Sequence, residues 1–234
     1  MLRLRMLGGL SLARGDEPLT GVATQRRRLA IFALLAVAGA QGVSRDKLLA
    51  YLWPETDEER ARHVLNQLLY AQRKLFGAEA LFTGQKTLRL NPELISTDLA
   101  DFEKALQESA LELAVQQYQG PFLDGFFVRD APEFEAWAER HRQRLARQYL
   151  EALGTLGSRA AASGDYSRAA SYYHRAADAD PLNGDIVVRL VRALADSGDR
   201  PGGLRAAQDY QARIRKELGL SSDPRLEALL KTLG

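Results

Sequence analysis

The chain opens on alternation. Leu2, Leu4 and Met6 are apolar while Arg3 and Arg5 are polar, which is the period of a half-buried strand. Gly8-Gly9 predicts a turn, residues 9–13 alternate again, and Gly15-Asp16-Glu17-Pro18 predicts another turn. The amino terminus therefore reads as a small antiparallel sheet. From residue 25 the period becomes helical. Thr24 is the expected N-cap of a helix over residues 25–38, stopped by Gln41-Gly42. Ser44 caps a second helix through Trp53, and Pro54 ends it. Thr56 or Asp57 caps a third, which Glu58 and Glu59 favour at its positive end and Gly77 terminates. Ala80 to Thr83, a turn at Gly84-Gln85, and Lys86 to Leu90 then predict a hairpin with a polar tip.

On the third helix Ala61, Leu65, Leu68, Leu69, Leu75 and Phe76 share one side, with Gln72 as the polar member among them. His63, Asn66, Tyr70 and Arg73 form a second stripe, flanked by Arg62, Gln67 and Lys74. A merely solvated helix face mixes Glu with Lys, and residues 60–78 contain no Glu. Hydrogen-bonding and basic groups without acid suit base edges and phosphates in a major groove. Strands, three helices and a hairpin follow one another in the order of a winged helix-turn-helix, whose third helix enters that groove while the wing reaches the backbone or minor groove.

Beyond residue 97 the pattern is helical throughout. Residues 98–118 read as one helix broken by Gly120-Pro121, and a long helix runs from Pro132 through Trp137 toward Gly157. Ser163-Gly164-Asp165 recurs as Ser197-Gly198-Asp199, a shift of 34 residues, which is the tetratricopeptide period. Leu153, Leu156, Gly157, Ala169, Tyr173, Ala176 and Pro181 occupy one repeat. Val187, Leu190, Leu194, Gly203, Ala207 and Tyr210 occupy a weaker second one, without its closing proline. Such repeats bury their cores by stacking and expose a groove for proteins or peptides.

Charge sharpens this division. Residues 1–97 hold 14 Lys/Arg against 9 Asp/Glu, an excess of +5, whereas residues 98–234 hold 18 against 21, an excess of −3. A basic half joined to a mildly acidic one fits a nucleic-acid reader carrying a partner module. The absence of cysteine excludes disulfides, zinc-thiolate sites and cysteine nucleophiles. Phosphate-loop, dinucleotide-binding and zinc-protease motifs are absent too, and Gly84-Gln85-Lys86-Thr87 lacks the first glycine of a phosphate loop. Asp178, Asp180, Asn183 and Asp185 resemble a calcium loop only loosely, because Leu182 stands at a ligand position. His63, His141 and His174 are scattered. No catalytic constellation, cofactor or metal is expected. The longest apolar run, residues 29–40, is 12 residues and too short to span a bilayer, so a cytoplasmic, nucleoid-associated protein is expected.

Three stretches carry a resemblance to a known family. The run TQRRRLAIFALLAVAGAQGVSRDKLLAYLWP resembles the first two helices of OmpR-type winged-helix domains. ARHVLNQLLYAQRKLFG and LFTGQKTLRLNPELISTDLADFEKAL resemble the recognition helix, wing and exit of the SARP family, the Streptomyces antibiotic regulatory protein-like transcriptional activators. The matching positions are Ser44, Arg45, Asp46 and Leu48, then Leu52-Trp53, then Asp98 and Phe102. Where the family often has Ser-Arg-Leu-Arg-Arg, this chain has Tyr70-Ala71-Gln72-Arg73-Lys74 and so lacks the first arginine. YQGPFLDGF and ELGLSSDPRLEALLKTL resemble the family's second module, the bacterial transcriptional activation domain.

The fold expected is mainly α: a winged-helix DNA-binding domain over residues 1–97 and a tetratricopeptide-like activation domain over residues 98–234. The resemblance implies a sequence-specific activator that binds repeats in double-stranded promoter DNA as a homodimer and recruits RNA polymerase through its sigma factor. His63, Asn66, Gln67 and Tyr70 are expected at base edges, with Arg62, Arg73 and Lys74 at phosphates. Arg26, Ser44 and Arg45 are expected at phosphates from the starts of the first two helices, and Thr83, Gln85 and Lys86 in the wing. The competing reading is a helical-repeat scaffold whose winged helix meets a protein instead of DNA.

Overall fold

The structure is a computed structural model that describes residues 1–15, 17–21, 25–77 and 81–233. It divides into two compact units, Met1–Ala146 and Arg147–Gly234, and the division falls within a long helix.

The first unit begins with β1 (Leu2–Arg5), β2 (Ser11–Arg14) and β3 (Glu17–Pro18). β1 pairs antiparallel with β2, Leu4 opposite Leu12, as the alternation predicts. The sheet is nevertheless mixed. β7 (Ile95–Thr97) lies parallel to β1 with Leu2 opposite Ile95, giving the order β3-β2-β1-β7. Three residues are too few for a period-2 signal, so the sequence pattern shows no strand there.

α1 (Arg26–Ala38) buries every residue from Leu29 to Leu35. It is apolar all round because it is the central helix of the unit. The Thr24 cap expected for it lies outside the described residues, as do Asp16 and Ala80 of the expected turn and hairpin. β4 (Val43–Ser44) leads into α2 (Arg45–Leu52), whose Ser44 hydroxyl accepts from the Lys47 N–H as a true N-cap. α3 (Glu58–Phe76) is capped by Asp57, which accepts from the Arg60 N–H, and ends at Gly77 in the left-handed conformation. β5 (Phe82–Thr83) and β6 (Thr87–Leu90) make the hairpin, and β6 also pairs with β4, Ser44 opposite Thr87. Gly84, at φ +83°, turns the hairpin where a Cβ would collide with the Thr87 carbonyl oxygen.

The single helix expected over residues 98–118 is two, α4 (Asp98–Gln107) and α5 (Leu111–Gln117). Ser109 takes φ +58° between them, and the Ala110 N–H closes back on the Ala105 carbonyl at 2.9 Å. That is a helix-ending bond pattern usually served by glycine. Asp98, the first residue of α4, is buried, and its carboxylate accepts from the Met6, Leu7 and Leu99 N–H groups at 2.8–2.9 Å. Beyond β1 the chain continues as an edge for the 119–124 loop: Leu7 bridges Phe122, and the Leu123 N–H donates to the Met6 carbonyl at 2.9 Å. Phe32, Phe102, Phe122, Phe134, Leu48 and Leu52 are among the fully buried side chains of this unit.

α6 (Pro132–Ala162) passes from the first unit into the second, which adds α7 (Tyr166–Ala179), α8 (Gly184–Asp196), α9 (Arg200–Leu218) and α10 (Pro224–Leu233). The repeated Ser-Gly-Asp tripeptides are the α6–α7 and α8–α9 turns. Asp165 and Asp199 cap the following helices by accepting from Arg168 and Gly202 N–H groups. At the first pair a Cβ on Gly157 would lie 2.5 Å from the Tyr173 ring, so only glycine permits this approach. Ala169 on α7 and Gly203 on α9, one repeat apart, hold equivalent buried small positions. The Asp178–Asp185 stretch is a helix-helix turn in which Asn183 caps α8 and donates to Asp180 at 2.9 Å. α10 closes the stack with Leu226 and Leu229 against Val187, Val191, Ala207, Tyr210 and Ile214.

Candidate nucleic-acid interface

The site is built on α3. Ala61, Leu65 and Leu69 are buried, which fixes the helix by its apolar side and turns the opposite stripe outward. His63, Asn66, Gln67 and Tyr70 are all exposed, Tyr70 at 68%. Leu75, expected on the inner side, is also exposed, and Gln72 is 2% exposed there instead. Neither polar atom of the Gln72 amide has a hydrogen-bond partner among the described residues.

Polar contacts order this surface. Gln67 Nε2 and His63 Nε2 lie 2.8 Å apart, one turn along the helix. Arg45 donates from Nε to the Gln85 carbonyl at 2.6 Å and from Nη1 to Asn66 Oδ1 at 2.7 Å. Its backbone N–H donates to the Lys86 carbonyl at 3.1 Å. One side chain thus joins the start of α2, the middle of α3 and the hairpin tip. Burial, and then the charge of Arg73, hold the Arg45 guanidinium below the ordinary arginine range. Thr83, Gln85 and Lys86 are exposed at the hairpin tip.

The cations differ in what holds them. Lys74 is exposed. Arg62 pairs with Glu58 at 2.5 Å and with Asp46 at 3.2 Å. Asp46 and Glu58 lie outside the acid-free stretch, so sequence spacing alone does not reveal that they reach it. Arg73 is partly buried and donates to the Phe82 carbonyl at 3.2 Å. Ser44 spends its hydroxyl on the cap of α2. Arg26 lies with another group: it donates to the Phe127 carbonyl at 2.9 Å and stacks 4.2 Å from that ring's centroid. Arg27 beside it donates to the Leu52 and Arg129 carbonyls. The structure therefore brings Arg45, Asn66, Gln85 and Lys86 together and sets Arg26 among the residues around Phe127.

The two histidines outside α3, expected to carry no site, have structural surroundings. His141 packs on Phe122 and Trp137, with ring centroids 6.0 and 5.0 Å away, and burial with nearby Arg144 and Arg140 lowers its pKa to about 4. His174 pairs with Asp178 at 3.1 Å. Among the described residues no group of three His, Cys, Asp or Glu is placed to hold a metal ion, and no helix is long and apolar enough to cross a membrane.

Comparison with known proteins completes the picture. No curated protein matches the chain. Among solved structures the chain is similar to Mycobacterium tuberculosis EmbR in complex with a low-affinity phosphopeptide, at a TM-score of 0.66 and 20% identity. The match covers 99% of this chain and 64% of that one, so this chain spans less than two thirds of its relative's length. A family model for the bacterial transcriptional activator domain matches residues 94–233. That match takes in more than half of the sequence, in line with the SARP-type resemblance of its motifs: the chain belongs to the bacterial transcriptional activator domain family.

Proposed function

We propose that the protein is a sequence-specific DNA-binding activator that reads promoter repeats with α3 and recruits RNA polymerase through its helical-repeat unit. The observation that carries the proposal is the outward stripe of α3. Exposed His63, Asn66, Gln67 and Tyr70 stand on a helix anchored by Ala61, Leu65 and Leu69, beside a hairpin whose tip presents Thr83, Gln85 and Lys86. A helix of this width fits a major groove, and amide, imidazole and phenol groups match base-edge donors and acceptors. Lys74, the wing lysine Lys86 and the basic balance of residues 1–97 supply charge toward phosphates. Arg62 and Arg73 serve the backbone where their internal partners leave N–H groups over, and the α2 start adds Ser44. The protein acts in the cytoplasm on the nucleoid, as a homodimer across two half-sites.

Mobility-shift titration on duplexes from the gene's own upstream region, at two salt concentrations, tests this. Specific binding that weakens with salt is expected. Asn66→Ala should relax sequence preference at one base pair by about 1–3 kcal/mol. If the variant discriminates among operator variants as the parent does, Asn66 does not read bases. If no duplex binds, the scaffold reading replaces this one.

A further inference from the structure

A role for Arg45 follows from what its side chain holds, and it rests on the DNA-reading role of α3. Arginine carries donors and no acceptor, so the amide atom that meets Arg45 Nη1 at 2.7 Å must be the oxygen of Asn66. This fixes the orientation of an amide that is otherwise ambiguous. Oδ1 is turned toward Arg45, and Nδ2, on the other side of the same planar group, is turned away from it. The guanidinium is itself fixed, because its Nε donates to the Gln85 carbonyl while the Arg45 backbone N–H holds the start of α2 to the Lys86 carbonyl. The fork therefore refers the Asn66 amide to the wing tip.

We propose that Arg45 is a positioning residue, not a phosphate contact: it orients the Asn66 amide before DNA arrives, so that Asn66 meets its base with Nδ2 leading. An exposed asparagine without such a clamp samples several rotamers and must be ordered on binding, which weakens discrimination. With Nδ2 leading, the base edge must offer an acceptor. Guanine offers N7 and O6 and adenine N7, whereas cytosine offers the donor N4 and is rejected. Arg62 does not compete for this place, since Glu58 and Asp46 hold it.

The test is selection of bound duplexes from a randomised pool by the intact chain and five variants, with salt dependence measured on the best site. Asn66→Ala locates the position that Asn66 reads. At that position the intact chain should disfavour cytosine on the contacted strand. Arg45→Lys keeps the charge and loses the fork. It should flatten the same position by roughly tenfold, leave the salt slope as in the parent, and add nothing in combination with Asn66→Ala. Asn66→Asp keeps an acceptor for Arg45 but removes the leading N–H group, and should turn the preference toward cytosine. Thermal melting of the variants alongside the parent checks folding, and Arg45→Met, which loses the charge as well as the fork, should flatten the position likewise and leave the salt slope as in the parent. Retention of the preference by Arg45→Lys would overturn the proposal, and a salt slope lowered by about one in Arg45→Met, which removes the charge, would make Arg45 a phosphate contact instead. Cytosine at the Asn66 position in the intact chain would overturn it as well. Failure of the intact chain to enrich any duplex would instead overturn base reading by α3, and the positioning role with it.

Discussion

Gln72 shows how one residue can be legible in its type and unreadable in its consequence. The helical period of α3 already places it on the apolar side, and the structure buries it with its amide unsatisfied among the described residues. An unmet buried amide costs about 1–3 kcal/mol. Gln72→Met, close in volume and without the amide, should raise stability by about 1 kcal/mol or more in urea denaturation while leaving duplex affinity unchanged. His141 gives a pH-dependent counterpart. Its folded pKa of about 4 lies below the value near 6.5 of an unfolded histidine. The unfolded chain therefore takes up the proton first, so this contribution is complete above pH 6.5 and is lost as pH falls toward 4. Discounted for partial exposure, the loss is about 1–2 kcal/mol. His141→Phe should flatten the difference between urea midpoints at pH 7 and pH 5; an unaltered difference would mean that other groups produce it.

Among the elements, the residues that carry the family resemblance prove to have architectural duties. Ser44 caps α2, Leu48 and Leu52 are fully buried, Trp53 accepts the Arg27 cation on its face, and Phe102 lies in the core. Asp98 is the most telling of them. Burial pushes its carboxyl above the usual range despite the Leu7, Met6 and Leu99 N–H groups that favour the charged form. Asp98→Ala would strand those donors and should cost about 3 kcal/mol or more, with Asp98→Asn intermediate, measured by urea denaturation. Gly157→Ala should cost about 1–3 kcal/mol in the second unit, because the added methyl meets the Tyr173 ring. The elements readable in the sequence were those with a local signal: the alternation of β1 and β2, the helices α1 to α3, the glycine-turned hairpin, α6 and the Ser-Gly-Asp turns. Those missed depend on partners far along the chain. β7 exists because β1 pairs with it, and the α4–α5 break turns on Ser109, a residue that does not announce a left-handed conformation. The candidate site was legible only as a stripe. Its ordering by Arg45, and the removal of Arg26 to Phe127, come from contacts 21 to 101 residues apart.

At the scale of the whole molecule, the uneven charge of the two halves makes a prediction about binding. Duplex affinity should fall linearly with the logarithm of salt concentration. Lys74→Ala should flatten that line by roughly 0.9, whereas Lys231→Ala, in α10 of the second unit, should leave it unchanged. Equal effects would mean that charge on both units, not α3, sets the affinity. The parallel pairing of Leu2 with Ile95 has a consequence for biosynthesis. β1 becomes an inner strand of its sheet, flanked by one neighbour almost at once and by the other only after α3 and the β5–β6 hairpin have been translated. As the chain emerges from the ribosome, one side of β1 stays open until residues 95–97 appear, leaving an unpaired edge for chaperones to guard or for stray strands to capture.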